Sequence, residues 1–277
     1  MKEYILLIDT IDAKGLVYNI SKILFANHLN IEQNAEFVDK DTNKFFMRTV
    51  ISGEVNVEIL LKELKEVLPK ESTIKLNLKS KKDIVILATK ESHVLGDLLI
   101  RYLDGELNAN IKAVIANHDY LRDLVEKFDI PFHCISADDM DRQTHEDLVI
   151  EKIKEYNPEL IVLAKYMRIL TPKFVHTFPK QVLNIHHSFL PAFIGANPYK
   201  QAHHRGVKII GATAHYVTDD LDEGPIISQD VLRVDHTYSW EDMRMAGKNV
   251  EKVVLSNALQ LLLEDRVFVF ENKTVIL

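Results

Sequence analysis

The stretch VLNIHHSFLPAFIGANPY, residues 182–199, ends an apolar run of strand length on an Asn, two His and a Ser. In an extended strand, residues two apart share a face, so Asn184 and His186 project together while Ile185 packs the other way. Such a pair suits work on one carbonyl. An amide can donate a hydrogen bond to a developing oxyanion, an imidazolium can donate a second, and a carboxylate can hold the imidazole charged or take a proton from a nucleophile. Asp222, in the acidic, turn-rich VTDDLDEGP, is the candidate carboxylate if the fold returns that loop over the strand end. Taken singly, an Asn or a His near a strand end is more often a hydrogen-bonded loop residue than a catalyst, and Asp222 alone reads first as a turn former.

The neighbouring polar residues carry less. His187 falls on the opposite face and reads as structural, and Ser188 lacks the G-x-S-x-G elbow that exposes a nucleophilic serine. The His pairs at 186–187 and 203–204 are adjacent rather than four apart, and no H-E-x-x-H occurs, so no metal site is expected. Cys134 is the one cysteine; it can form neither an internal disulfide nor a thiolate cage, and it reads as a small core residue in a reducing cytoplasm.

The elements that must position the trio follow from hydrophobic period. From Asp83 onward DIVILAT, IKAVIA, PFHCIS, LIVLAKY and QVLNIHH read as strands, alternating with helices in HVLGDLLIRYL, YLRDLVEKF, THEDLVIEKIKEY and PKFVHTF. That alternation predicts a Rossmann-like, mostly parallel sheet, in which ligands bind outside the carboxyl ends of the strands. The end of VLNIHH is such a place. A loop leads on to strands GATAHYVT and PIISQDVLRV, a helix from about Trp240 to Glu264, and a hairpin in RVFVFENKTVIL.

The first eighty residues have a different order. YILLID, NIEQNAEFVD, KFFMRTVIS and STIKLNL read as strands, with helices in KGLVYNISKILFANH, where Leu16, Ile20, Ile23 and Leu24 share a face, and in VEILLKELKEVLP. This βαββαβ sequence predicts a ferredoxin-like domain. The charge cluster KSKKD, residues 79–83, reads as a solvated boundary, giving domains 1–80 and 83–277. At 277 residues and 47% hydrophobic content, the chain has the length and the apolar surface for two packed domains. A net charge of -7 opposes a nucleic-acid partner, and the N-terminal MKEYILLIDTIDAKG is too short and too acidic for a signal peptide or membrane span, so no membrane partner is expected.

NIHHSFLPAFIGANPY followed by GATAHYVTDDLDEGPII resembles the folate-dependent formyltransferase family, whose signature is an N-x-H strand end paired with a D-x-x-D-x-G-P loop, here DDLDEGP. The resemblance covers roughly residues 83–277, and the N-terminal domain resembles an ACT domain, a small-molecule sensing module. It implies the formyltransferase fold, a catalytic Asn184, His186 and Asp222, and a folate pocket that includes Met167, Arg168, Ile169, Leu170, Val217 and Asp219. The partners implied are a folate substrate and water, with no cofactor and a homo-oligomer. For the ACT domain it implies a glycine or methionine effector, with Asp12 and Asn19 as contacts; Asp12 starting a helix and Asn19 facing solvent is the other reading.

One departure bears on the reaction. Family members that formylate glycinamide ribonucleotide carry a Gly- and Ser-rich loop after the first catalytic-domain strand, whose backbone N–H groups receive the nucleotide's phosphate. Here that position reads LATKESHVLGD, in which Glu91 opposes a phosphate and Lys90 alone substitutes weakly. With the ribonucleotide's anchor lost, water is the expected acceptor, and the resemblance then implies hydrolysis of 10-formyltetrahydrofolate to tetrahydrofolate and formate, supplying formate for purine synthesis and balancing one-carbon folate pools. The alternatives are a formyl transferase and a non-catalytic, amino-acid-sensing folate-binding protein.

Overall fold

The structure, a computed structural model, describes residues 2–192 and 197–277; residues 193–196 of the long motif lie outside the described part. The chain begins with β1 (Glu3–Ile11), α1 (Leu16–Ala26), β2 (Asn30–Asp39), β3 (Lys44–Ser52), α2 (Val57–Val67) and β4 (Thr73–Leu78). These strands pair antiparallel in the order β2-β3-β1-β4, the ferredoxin-like arrangement that the βαββαβ pattern predicts. The strand period brings Leu6 and Ile8 of β1 to one core with Leu16, Ile20 and Leu24 of α1 and Leu60 and Leu64 of α2. Ile23, expected on the same helical face, packs against this core only partly buried.

The chain divides into two compact units. The first is Met1–Ser80 with Glu264–Phe268 and Val275–Leu277, and the second is Lys81–Leu263 with Val269–Thr274. The C-terminal tail, expected wholly in the second domain, is thus shared. Arg48 is the reason: its guanidinium, buried on β3, donates to the carbonyls of Glu264 (2.8 Å) and Asp265 (3.2 Å). Asn77 donates to the Asp265 carboxylate at 3.0 Å, and the Phe268 ring meets the edge of Phe46. A buried Arg without acceptors would cost several kcal/mol, and the tail's carbonyls supply them.

The second unit runs β5 (Lys82–Ala88), α3 (His93–Leu103), β6 (Ala109–Ala116), α4 (Arg122–Glu126), β7 (Phe132–Cys134), α5 (Arg142–Tyr156), β8 (Leu160–Ala164), α6 (Pro172–Thr177), β9 (Val182–His186), α7 (Pro198–Arg205), β10 (Ile209–Tyr216), β11 (Ile226–Arg233) and α8 (Trp240–Leu263); β12 (Val267–Phe270) and β13 (Lys273–Ile276) close the chain as a hairpin. The sheet order is β11-β10-β9-β8-β5-β6-β7, parallel from β9 to β7 and antiparallel at β10 and β11. The chain leaves β5 toward β6 and β7, then returns to β8 on the other side of β5. That reversal puts a crevice at the carboxyl ends of β5 and β8, beside β9.

Four expectations need correction. YLRDLVEKF is helical only over Arg122–Glu126, after a 3-10 turn at Asp119–Leu121. The loop expected before β10 contains α7, which Pro198 opens at the first helical turn and Gly206, at φ 67, ends. Cys134 is exposed rather than in the core, because it closes a three-residue strand at the border of the sheet. Lys82 and Asp83 of the charge cluster already belong to β5, where the Lys82 ammonium donates to the Leu262 carbonyl at 2.9 Å near the end of α8.

Two devices hold the loops around the end of β9. Thr213 of β10 is fully buried, and its hydroxyl donates to the Ser188 carbonyl (2.9 Å) while accepting from the Leu190 N–H (3.0 Å). Gly224 closes the acidic loop back onto β10: a Cβ there would lie 1.8 Å from the Tyr216 carbonyl oxygen, so only glycine permits the approach. Tyr216 donates to the Pro225 carbonyl at 3.0 Å, fixing the loop base.

Candidate active site

β9 places Asn184 and His186 as the strand period requires, both facing one cavity of about 540 Å³. Asp222 closes on them from the loop after β10, at φ 58, a left-handed conformation that Asp tolerates better than most residues. Its carboxylate lies 3.2 Å from His186 Nδ1 and 3.8 Å from His215 Nε2. Both partners are nearly buried, with His186 and Asp222 side chains 7% and 9% exposed. Burial works to raise the Asp222 carboxyl, and the hydrogen bond and charge of His186 outweigh it, holding the group below its ordinary range. On the other side of the ring, His186 Nε2 is buried with no hydrogen-bond partner among the described residues.

His215 orients the amide. It stands opposite Asn184 in the antiparallel pairing of β9 with β10, one residue after a register shift between β10 and β11. Its Nδ1–H donates to the Tyr216 carbonyl at 2.8 Å, which leaves Nε2 to accept from Asn184 Nδ2 at 3.2 Å. Burial pushes the His215 imidazolium below its ordinary range, in keeping with a neutral acceptor. One N–H of the Asn184 amide is thereby committed, and the second is left for the cavity.

The apolar wall is the loop after β8. Met167, Arg168, Ile169 and Leu170 line the cavity, and Met167 and Ile169 remain 60% and 58% exposed. The loop is clasped from three sides: Met167 N–H donates to Thr89 Oγ1 (3.1 Å), Thr171 N–H donates to the buried Glu146 (2.9 Å), and Arg142 donates to the Ile169 carbonyl. Exposed apolar side chains on a fixed backbone suit a flat, largely apolar ring system. Val217 also faces the cavity, but Asp219 does not: its carboxylate turns to the surface and pairs with His176 at 2.8 Å. Within DDLDE, the turn directs Asp220 and Asp222 to the cavity and Asp219 away from it.

His187 corrects the strand-face argument. β9 ends at His186, so alternation no longer governs the next residue, and His187 lines the same cavity with its ring 5.3 Å from that of His186. Beyond it stand residues that periodicity does not single out. Tyr199 of α7 donates to Glu251 at 2.8 Å, and the same buried carboxylate meets His93 at 2.9 Å and Lys165 at 3.2 Å. Gly247 makes room for the Tyr199 ring, since a Cβ there would lie 2.0 Å from its hydroxyl. The legible signal was a charge on the buried stripe of α8, where Glu251 lies four residues from Gly247 and four from Leu255. Glu91, from the loop after β5, lines the cavity too. Ser188 is spent on the Ala192 carbonyl, and among the described residues no group of three His, Cys, Asp or Glu could hold a metal ion. In the first unit, Asp12 and Asn19 are both half-buried on either side of Gly15.

Residues 82–259 match the family model described as formyl transferase. The chain is 56% identical over 277 residues to a formyltetrahydrofolate deformylase of Haemophilus influenzae, covering all of both chains. Its fold is similar to the crystal structure of a formyltetrahydrofolate deformylase from Pseudomonas syringae pv. tomato, with a TM-score of 0.95, 40% identity and coverage of 100% of this chain and 94% of that one. A glycinamide ribonucleotide transformylase from Symbiobacterium toebii is similar over 71% of this chain and 94% of its own, at TM-score 0.68 and 29% identity.

The His187 environment carries a pH signature. Burial, and next the charge of Lys165, push its imidazolium from 6.5 down to about 4. As pH falls, the unfolded chain takes up this proton first. The associated stability, about 3 kcal/mol, is present in full above 6.5 and lost progressively toward pH 4. Urea unfolding of wild type and His187→Gln between pH 7 and 4 should show the variant losing less stability; equal losses would contradict the assignment.

Proposed function

The chain belongs to the formyltetrahydrofolate deformylase family, among the formyl transferases, and from that premise we infer that it hydrolyses 10-formyltetrahydrofolate to tetrahydrofolate and formate. The observation that carries the reading is the pairing of His186 Nδ1 with Asp222 at 3.2 Å, with the opposite ring nitrogen buried and unpartnered among the described residues. In the proposed reaction, water attacks the formyl carbon, and the carbonyl oxygen becomes an oxyanion. Asn184 Nδ2 and His186 Nε2 donate to that oxyanion. Asp222 accepts the hydrogen bond of His186 Nδ1–H and so keeps the ring protonated, positions the water and helps remove its proton. The C–N10 bond then breaks, N10 takes up one of the two water protons, and the other is released to solvent as the product leaves as formate. The scheme calls on no metal or cofactor.

The folate ring is proposed to lie against Met167, Ile169 and Leu170, with Arg168 and Val217 completing the pocket. Two features favour water over an amine-bearing acceptor: Glu91 stands where a phosphate would need donors, and the deformylase likeness extends over the whole chain. The first unit is read as an ACT domain with glycine or methionine as effector and Asp12 and Asn19 as contacts. Its support is the strand order β2-β3-β1-β4 and the N-terminus of α1, which Gly15 opens at φ 90 without a side-chain cap. Exposed Tyr18 and Phe25 on α1 are consistent with assembly into a homo-oligomer. No helix of the described residues is long and apolar enough to cross a membrane, and a cytoplasmic setting is proposed on the single, free Cys134.

Removing one oxyanion donor costs about a hundred- to a thousandfold in rate. Formate release should therefore fall by about that factor in Asn184→Ala and in His186→Ala with circular dichroism unchanged; near wild-type turnover in either folded variant would overturn the assignment. In the same assay, glycine or methionine should alter the wild-type rate and leave Asp12→Ala unaffected, whereas identical responses, or none, would remove the effector reading.

A further inference from the structure

Six ionisable side chains that the proposed chemistry does not use form one connected group beside the cavity. Glu251, buried on α8, has both carboxylate oxygens engaged: Oε1 accepts from Tyr199, and Oε2 meets His93 Nε2 at 2.9 Å and Lys165 Nζ at 3.2 Å. His93 Nδ1 stands 3.3 Å from Glu91, and Lys248 reaches the same carboxylate at 3.5 Å. Lys165, Tyr199, Glu91, Lys248 and Glu251 all line the cavity, and His187 bridges the group to the centre, its ring 5.3 Å from His186 and 5.9 Å from Tyr199.

Lys165 is the unusual member. It follows β8 directly, its side chain is 5% exposed, and its backbone sits at φ 62, where a β-carbon is strained and glycine is not. A lysine kept at such a position has a side chain that the site uses. Desolvating its ammonium is expensive unless a carboxylate meets it, and Glu251 is held in place for that by partners from α3 and α7.

We propose that the buried Lys165–Glu251 pair closes the arm of the cavity beyond His187 to amine acceptors, so that water alone reaches the formyl carbon. This rests on the hydrolase reading. A primary amine arrives in water as an ammonium, and in this arm it meets the fixed charge of Lys165. Glu251, the carboxylate that could have drawn it in, already has both oxygens occupied. Discrimination then comes from repulsion and lost room rather than from any gain for water, which is small and neutral. If such an ammonium did enter, it would lose two protons, one to N10 and one to solvent, as its nitrogen bonded to the formyl carbon and the C–N10 bond broke. The balance closes without any further reactant, so only access separates the two outcomes.

The test is a partition of products. Purified full-length protein is given 10-formyltetrahydrofolate with a 13C-labelled formyl group, with glycinamide or glycinamide ribonucleotide added, and labelled formate and labelled formylamide are counted by NMR. Wild type should give formate alone at every amine concentration. Lys165→Gly, which opens the arm and relieves the backbone, should raise the ratio of formylamide to formate by about tenfold or more. Lys165→Met keeps most of the volume without the charge; it separates repulsion from occlusion and stands in should the glycine variant not fold. Formylamide from either variant supports the proposal. Formylamide from wild type, or a wild-type partition in folded variants that still release formate, overturns it. Wild-type formate release without any amine judges the hydrolase reading by itself, before a variant is compared.

Discussion

A histidine ring is fixed through Nδ1 by a buried carboxylate so that Nε2 faces the cavity. Asp222 meets His186 Nδ1 at 3.2 Å, and Nε2 is left without a partner among the described residues. Holding an imidazole and a carboxylate together away from water is costly unless their geometry is fixed. The pair persists because the surroundings over-determine it. β9 sits between parallel β8 and antiparallel β10, Gly224 lets the acidic loop close on Tyr216, and the hydroxyl of Thr213 ties down the chain beyond His186.

From that point the cavity divides by chemistry. Toward the loop after β8 it offers Met167, Ile169 and Leu170 on a backbone clasped by Thr89, Arg142 and Glu146. Toward α8 it offers charge already neutralised by charge, in the group of Lys165, Glu251, His93 and Tyr199. On the proposed reading the first side holds the folate ring, the second turns away cationic acceptors, and the formyl carbonyl meets water between them.

Much of this was legible in residue order. Parallel strands buried on both faces read as unbroken apolar runs, so β5, β6, β8 and β9 were recognisable, and the strand period joined Asn184 to His186. Legibility ends where regular secondary structure does. His187 lies one residue past β9, outside the alternation that was taken to turn it away. Cys134 is apolar in type but sits at a border strand, a position that only sheet order reveals. Asp219 and Asp222 share one short loop, and the turn that separates a surface pairing with His176 from a buried one with His186 is set by backbone conformation. Glu251 meets Tyr199, His93 and Lys165 across 52, 158 and 86 residues of sequence, separations that no local pattern encodes.

The proposed hydrolysis turns on Asp222 positioning water at a formyl carbon while the paired imidazole of His186 donates to the oxyanion. The most direct measurement is a single turnover of 10-formyltetrahydrofolate in 18O-labelled water by wild type and by Asp222→Asn, with formate analysed by mass spectrometry. The account predicts one labelled oxygen in the formate from wild type and no release above the uncatalysed background from the folded variant. Formate from Asp222→Asn at the wild-type rate, or none from wild type, would contradict it.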